Sequence, residues 1–152
     1  MSALILSLLM SLLSVMRPWP ASEARCLMAR EADVVADAET AVMATGVPAG
    51  LLLVVGVLES HLGCDPASGG SWGAPIDPQH RRTAGTPTHT ARALATSFRV
   101  CGSWVGALHR FRCGLCVCRR PLVGYTPAQA LSLAERMYAS AGQDLPLSWR
   151  KP

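Results

Sequence analysis

The order of apolar and polar positions along the chain predicts a set of helices packed around one of their number. Pro48 to Gly63 reads PAGLLLVVGVLESHLG. Leu51, Leu52, Leu53, Val54, Val55, Val57 and Leu58 would cover every side of a helix. A helix that is apolar all round is a core helix or a membrane span. A span needs about 20 apolar residues, and this stretch is shorter, so it predicts a buried central helix. Pro48 suits the first turn, where a missing N–H costs nothing, and Gly63 is the expected stop. The stretch delivers a single carboxyl, Glu59, at its C-terminal end. Cys26 to Ala44 alternates Leu27, Met28, Val34, Val35, Val42 and Met43 with charged residues at helical spacing, which predicts an amphipathic helix ended by Thr45-Gly46. The connection to the central helix is very short, so the two should pack together.

Further along, Thr90 to Val100 and Trp104 to Phe111 each place apolar residues on one face. Thr126-Pro127 opens a last helix, with Gln129 three residues after the Thr as in a capping box. The tail from Gly142 to Pro152 reads as irregular. Between the central helix and Thr90 the pattern breaks down. Cys64 to Thr90 is crowded with glycines and prolines, and no helix survives that density of breakers. A loop this long within a domain is usually functional. It starts directly after Glu59, so it can form a wall or lid over the carboxyl, with Trp72 and Ile76 as its apolar anchors.

Composition adds compartment and partners. The chain has 152 residues, 50% hydrophobic and 16% charged, which suits one domain with a real core and excludes a disordered chain. Ala3 to Met16 is an apolar run of signal-peptide length, followed by Ser22-Glu23-Ala24 with small residues at the −3 and −1 places. Residues 1–24 are expected to be a signal peptide and 25–152 the mature domain, exported to a periplasmic or extracellular space. No Lys or Arg precedes the apolar run, and an uncleaved anchor is the competing reading. The net charge is +4, and losing Arg17 and Glu23 with the leader leaves it unchanged. That suits an anionic polymer or surface. The basic residues are scattered and aromatics make up 5% of the chain, too few for stacking platforms, so nucleic acid is not an expected partner.

All six cysteines (Cys26, Cys64, Cys101, Cys113, Cys116 and Cys118) lie beyond the expected cleavage point. An even count in an exported chain reads as disulfides, with fifteen connectivities open. Cys113, Cys116 and Cys118 are too close together to pair freely among themselves, so bridges are expected to Cys26, Cys64 and Cys101. A metal site built on His109, Cys113, Cys116 and Cys118 is the rival, but its spacing is unlike an ordinary structural zinc site. No metal or cofactor is expected.

From Ala41 to Tyr138 the chain resembles the lysozyme-like superfamily, and most closely the SLT-type lytic transglycosylases of peptidoglycan. Those enzymes carry a GV-P leading into an apolar helix that ends in Glu-Ser-x-Phe. Here Gly46-Val47-Pro48 leads to Glu59-Ser60, with Leu62 in place of the Phe. Their G-x-x-G-L-M-Q-I segment is matched by Gly70-Ser71-Trp72-Gly73-Ala74-Pro75-Ile76. Their W-x-x-A-L-x-x-Y-N-x-G segment is matched by Trp104, Ala107, Leu108, Phe111, Arg112 and Gly114. Two departures stand out. The Gln of the middle motif is missing near Ile76 and Asp77, and the Tyr-Asn pair has become Phe111-Arg112.

The resemblance implies a mainly α, lysozyme-like single domain of about five helices around the central one, stapled by disulfides. It also implies that Glu59 is the catalytic acid/base, cleaving the glycosidic bond between the muramyl and glucosaminyl sugars of peptidoglycan strands. Ser60 would orient the carboxyl, or be a plain helix-end serine. Trp72, Gly73, Ile76, Phe111, Arg112 and Tyr125 would contact the glycan, although Tyr125 suits core packing equally well. A hydrolytic lysozyme would need a second carboxylate, for which Asp77 is the candidate; Asp65, which precedes a proline, reads more simply as a turn residue. A peptidoglycan-binding relic without turnover is the third reading. His61, His80, His89 and His109 have no assigned role. Nothing resembles a Ser/His/Asp triad or a phosphate-binding glycine loop, which sets those enzyme classes aside.

Overall fold

In the computed structural model, residues 1–16, 18–65, 72, 85–146 and 149 are described. Among them the chain is mainly helical, with six helices and no strand. They are α1 (Ser2–Val15), α2 (Ala21–Thr45), α3 (Ala49–Ser60), α4 (Pro87–Cys101), α5 (Trp104–Cys113) and α6 (Pro127–Ser140). Helix α3 is the predicted central helix. Every residue from Gly50 to Val57 is buried, as is Ser60. It packs against α1, α2, α4 and α6.

Two glycines let the neighbours come close to α3. A Cβ on Gly50 would lie 2.5 Å from the Tyr138 hydroxyl oxygen of α6. A Cβ on Gly56 would lie 2.8 Å from the Trp72 ring. Real Cβ atoms do not approach so closely, so these positions need the missing side chain. The indole of Trp72 thus packs directly against the central helix at Gly56. Trp72 is 1% exposed. Its backbone N–H donates to the Gly85 carbonyl at 2.6 Å, and its backbone carbonyl accepts from Thr90 Oγ1 at 3.3 Å.

Helix α3 ends earlier than the glycine stop suggested. Gly63 was the expected terminator, but His61 already has φ 50° and Leu62 φ 57°, followed by Gly63 at φ 81°. Left-handed backbone costs a non-glycine residue roughly 1–2 kcal/mol. Local bonds hold the turn: His61 N–H to Val57 O at 2.8 Å, Leu62 N–H to Gly56 O at 2.9 Å, and Gly63 N–H to Ser60 Oγ at 2.9 Å. Tertiary contacts add to these. Glu23 of α2 pairs with His61 Nδ1, the Trp19 ring meets the His61 ring edge-on at 5.0 Å, and Cys26 is bonded to Cys64.

Helix α4 starts at Pro87, three residues before the expected Thr90. Thr86 caps it by accepting from the His89 N–H at 3.2 Å, and Pro87 occupies the first turn. The same Thr-Pro device opens α6, where Thr126 and Gln129 form the predicted capping box. Phe98 of α4 stacks on Trp104 of α5 with ring centroids 4.2 Å apart. Two described residues of the tail join the core, since Leu145 and Trp149 are buried and Trp149 meets the Tyr138 ring edge-on.

The disulfides are Cys26–Cys64, Cys101–Cys116 and Cys113–Cys118. The last corrects the expectation that the clustered cysteines do not pair among themselves. Gly114 at φ 80° turns the chain sharply after α5, and Cα atoms five residues apart come to 6.0 Å. That is within the range a disulfide spans. Cys113, Cys116 and Cys118 are all used, so no thiol is left to serve the metal site that competed with disulfides.

The apolar leader run forms α1. Ile5, Leu8, Leu9 and Leu12 are 0–1% exposed, against α2, α3 and α6. Among the described residues no helix is long and apolar enough to cross a membrane. Helix α2 runs through Ser22-Glu23-Ala24, so a peptidase would meet this site extended only before the helix forms. Mass spectrometry of the exported protein is expected to show loss of residues 1–24. An intact Met1 terminus would show that α1 stays with the fold.

Candidate functional site

Glu59 lies on the last turn of α3, where the helix emerges from the core. Its side chain is 14% exposed. Two groups from the second half of the chain converge on one of its oxygens. The Tyr125 hydroxyl donates to Oε1 at 2.7 Å, and Arg112 Nη1 donates to the same Oε1 at 2.9 Å. Among the described residues, no group donates to Oε2.

Arg112 reaches this position from α5, which is oriented by Ser103 at its N-cap and by burial of Trp104, Ala107, Leu108 and Phe111. Its guanidinium also lies 4.3 Å from the centroid of the Tyr125 ring, close enough for a cation–π contact. Its second arm, Nη2, donates to the carbonyl of Val123. Arg112 therefore ties α3, α5 and the segment before α6 together. Tyr125 sits just ahead of the Thr126 cap and is buried. Burial, then the charge on Glu59 and the bond to it, push the Tyr125 phenol far above its ordinary range, against a smaller opposing effect of Arg112. Tyr125 is therefore a protonated donor at any physiological pH.

Tyr138 is also raised, chiefly by burial, and these are the two tyrosines of the chain. An unfolded tyrosine ionises near pH 10. Above that pH the unfolded chain gives up protons that the folded chain keeps, so folding stability should fall as pH rises. An ultraviolet absorbance titration is expected to show both tyrosines ionising above the ordinary phenolic range, Tyr125 last. A normal phenolic transition in the folded protein would contradict the placement of Tyr125. Tyr125→Phe should lower stability by about 1–3 kcal/mol, the scale of a hydrogen bond to a charged partner.

A cavity of about 620 Å³ lies beside this cluster, lined by Leu58, Gly124, Tyr125, Gln129, Leu133 and Arg136 among others. Val15 and Met16 at the end of α1 form part of its wall. Glu59 does not line it; Tyr125 is the residue that borders the cavity and touches the carboxylate.

The sequence-derived site residues fall into three groups. Glu59, Arg112 and Tyr125 come together. Arg112 is more central than expected, because it binds the carboxylate itself. Ser60, Trp72 and Phe111 are buried. Ser60 is 3% exposed and its hydroxyl donates back to Gly56 O at 3.2 Å and accepts from Gly63 N–H. It completes the helix end and does not orient the carboxyl. Phe111 is a core residue of α5, and Trp72 backs the central helix. Gly73, Ile76 and Asp77 lie outside the described residues. Compared with protein-family models, curated proteins and solved structures, the chain matches none.

Proposed function

We propose that the chain is a lysozyme-like peptidoglycan lytic transglycosylase in which Glu59 is the single general acid/base. The observation that carries this reading is the division of labour on Glu59. Oε1 accepts from Tyr125 and Arg112, while Oε2 accepts from no described residue and is free to carry a proton. A glycosidic oxygen is a poor leaving group and needs a proton as the bond breaks. Oε2 would supply it. The charge left on the carboxylate would be held at Oε1 by two donors already in place, with no reorganisation at the moment of reaction. The carboxylate can then take a proton from an incoming hydroxyl. If that hydroxyl is the 6-hydroxyl of the muramyl sugar itself, proximity replaces a positioned water and no second carboxylate is required. Disulfides and the apolar leader fit a protein exported to where peptidoglycan lies.

The test is product analysis on purified murein, which should yield 1,6-anhydromuramyl ends. Reducing muramyl ends, lost in Asp77→Asn, would instead identify a two-carboxylate hydrolase. One observation favours a different second reading. A partly buried Arg–Glu pair with a cation–π contact is also how a fold is stapled. A chain that binds murein and releases no product would have kept that staple and lost turnover.

A further inference from the structure

We propose that the disulfide-bonded loop after α5 is a docking surface for an anionic lipid bilayer. From Leu115 to Arg119 the chain alternates its exposure. Cys116 and Cys118 are partly buried and bonded, while Leu115 is 50% exposed and Val117 72% exposed. Val123, a few residues on, is 91% exposed. Exposed apolar side chains in a slack loop would fold back onto the body. Here Cys101–Cys116 and Cys113–Cys118 pin the loop from both sides. The Cys118 sulfur also contacts the His109 carbonyl at 3.5 Å. The apolar tips are held outward.

Charge selects the partner. From Gly85 to Ala134 the chain has six arginines and neither aspartate nor glutamate. Arg112 is used on Glu59. Arg119 and Arg120 are exposed and, among the described residues, pair with no carboxylate. Together with Leu115 they line one shallow cavity of about 310 Å³. Cationic groups interleaved with apolar tips on a rigid loop match a bilayer interface, where phosphates meet the first methylenes. A soluble polyanion would use the arginines and leave Leu115, Val117 and Val123 without purpose. Of these residues only Val123, whose carbonyl accepts from Arg112, touches the cluster at Glu59.

The test uses the full oxidised chain and co-sedimentation with phosphatidylglycerol/phosphatidylcholine vesicles, against phosphatidylcholine alone. The chain should partition onto the anionic vesicles at low salt, at least about tenfold more weakly onto neutral ones, and lose binding as salt rises. Arg119→Glu with Arg120→Glu should weaken partition at least about thirtyfold, given the contribution of each cation near such a surface. Leu115→Ser with Val117→Ser should weaken it about tenfold. An unchanged thermal transition and no free thiol confirm that each variant is folded; Val123→Asp is the single-site substitute if one is not. The proposal is overturned if the unaltered chain stays in the supernatant, or if the arginine variant binds as well. It is also overturned if the apolar variants bind normally while soluble polyphosphate competes fully, which would identify an anionic polymer surface. Self-association that buries Val117 would overturn it as well.

Discussion

Glu59→Gln is expected to abolish release of 1,6-anhydromuramyl products from murein, with a loss of about a thousandfold or more, the scale of a positioned proton donor. Glutamine retains the shape of the side chain, and its carbonyl oxygen can still accept from Tyr125 and Arg112 in the place of Oε1. The end of α3, the cavity beside Tyr125 and the disulfides should survive, so the thermal transition should move little. Only the transferable proton is lost. A Glu59→Gln protein that still turns over would show that another group delivers the proton. An unaltered protein that yields no product would leave Glu59 and Arg112 as a structural pair. Asp77→Asn supplies the contrast and should keep turnover within about tenfold, or ~1.4 kcal/mol of barrier.

The second large effect is on stability. Cys26→Ser with Cys64→Ser should destabilise the chain by about 4 kcal/mol, because the bridge closes a 38-residue separation and loop-closure entropy grows with that length. Replacing Cys113 and Cys118, five residues apart, should cost only about 2 kcal/mol by the same relation. At about 2–4 °C per kcal/mol for a chain of this size, the first pair should lower Tm by about 8–16 °C. The prediction has a local component too. Cys26–Cys64 holds α2 against the left-handed turn at His61 and Leu62, two residues beyond Glu59. Amide hydrogen exchange in that turn should rise more than in α6. Equal losses from the two pairs would show that the bridges act on native contacts and not on the unfolded chain.

Much of this arrangement was legible in the sequence, and its limits are physical. The central helix announced itself because seven large apolar residues within the eight positions from Leu51 to Leu58 have nowhere to go but a core. The opening of α6 was legible because Thr126, Pro127 and Gln129 are a local device, complete within four residues. The start of α4 uses the same device at Thr86-Pro87, but it lies at the end of a run of breakers, and the run dominated the reading. Of the two roles open for Ser60 the structure shows the helix-end one, because a helix-end serine bonds its own backbone more readily than a neighbour's side chain. Glu59 could be singled out, but the groups that hold it could not. Arg112 lies 53 residues away and Tyr125 66 residues away, and no periodicity carries such a pairing. The Arg at position 112 looked like the loss of an amide; in three dimensions it gains a carboxylate. Disulfide partners were equally out of reach, since only the turn at Gly114 brings Cys113 and Cys118 within bonding distance.

The connectivity after α5 also has a consequence for how the chain matures. Cys101, Cys113, Cys116 and Cys118 can pair in three ways, and Cys101–Cys116 with Cys113–Cys118 is the only one in which the two rings interlock. Short closures form fastest because their entropy cost is lowest. The closest pairs, Cys116 with Cys118 and Cys113 with Cys116, are both non-native, so the earliest closures are wrong ones. Reaching the interlocked state from there takes thiol–disulfide exchange, a process of seconds to hours rather than the microseconds in which helices form. The helices can thus assemble long before the loop acquires its final shape. The yield of native protein then depends on a redox environment that both oxidises and reshuffles.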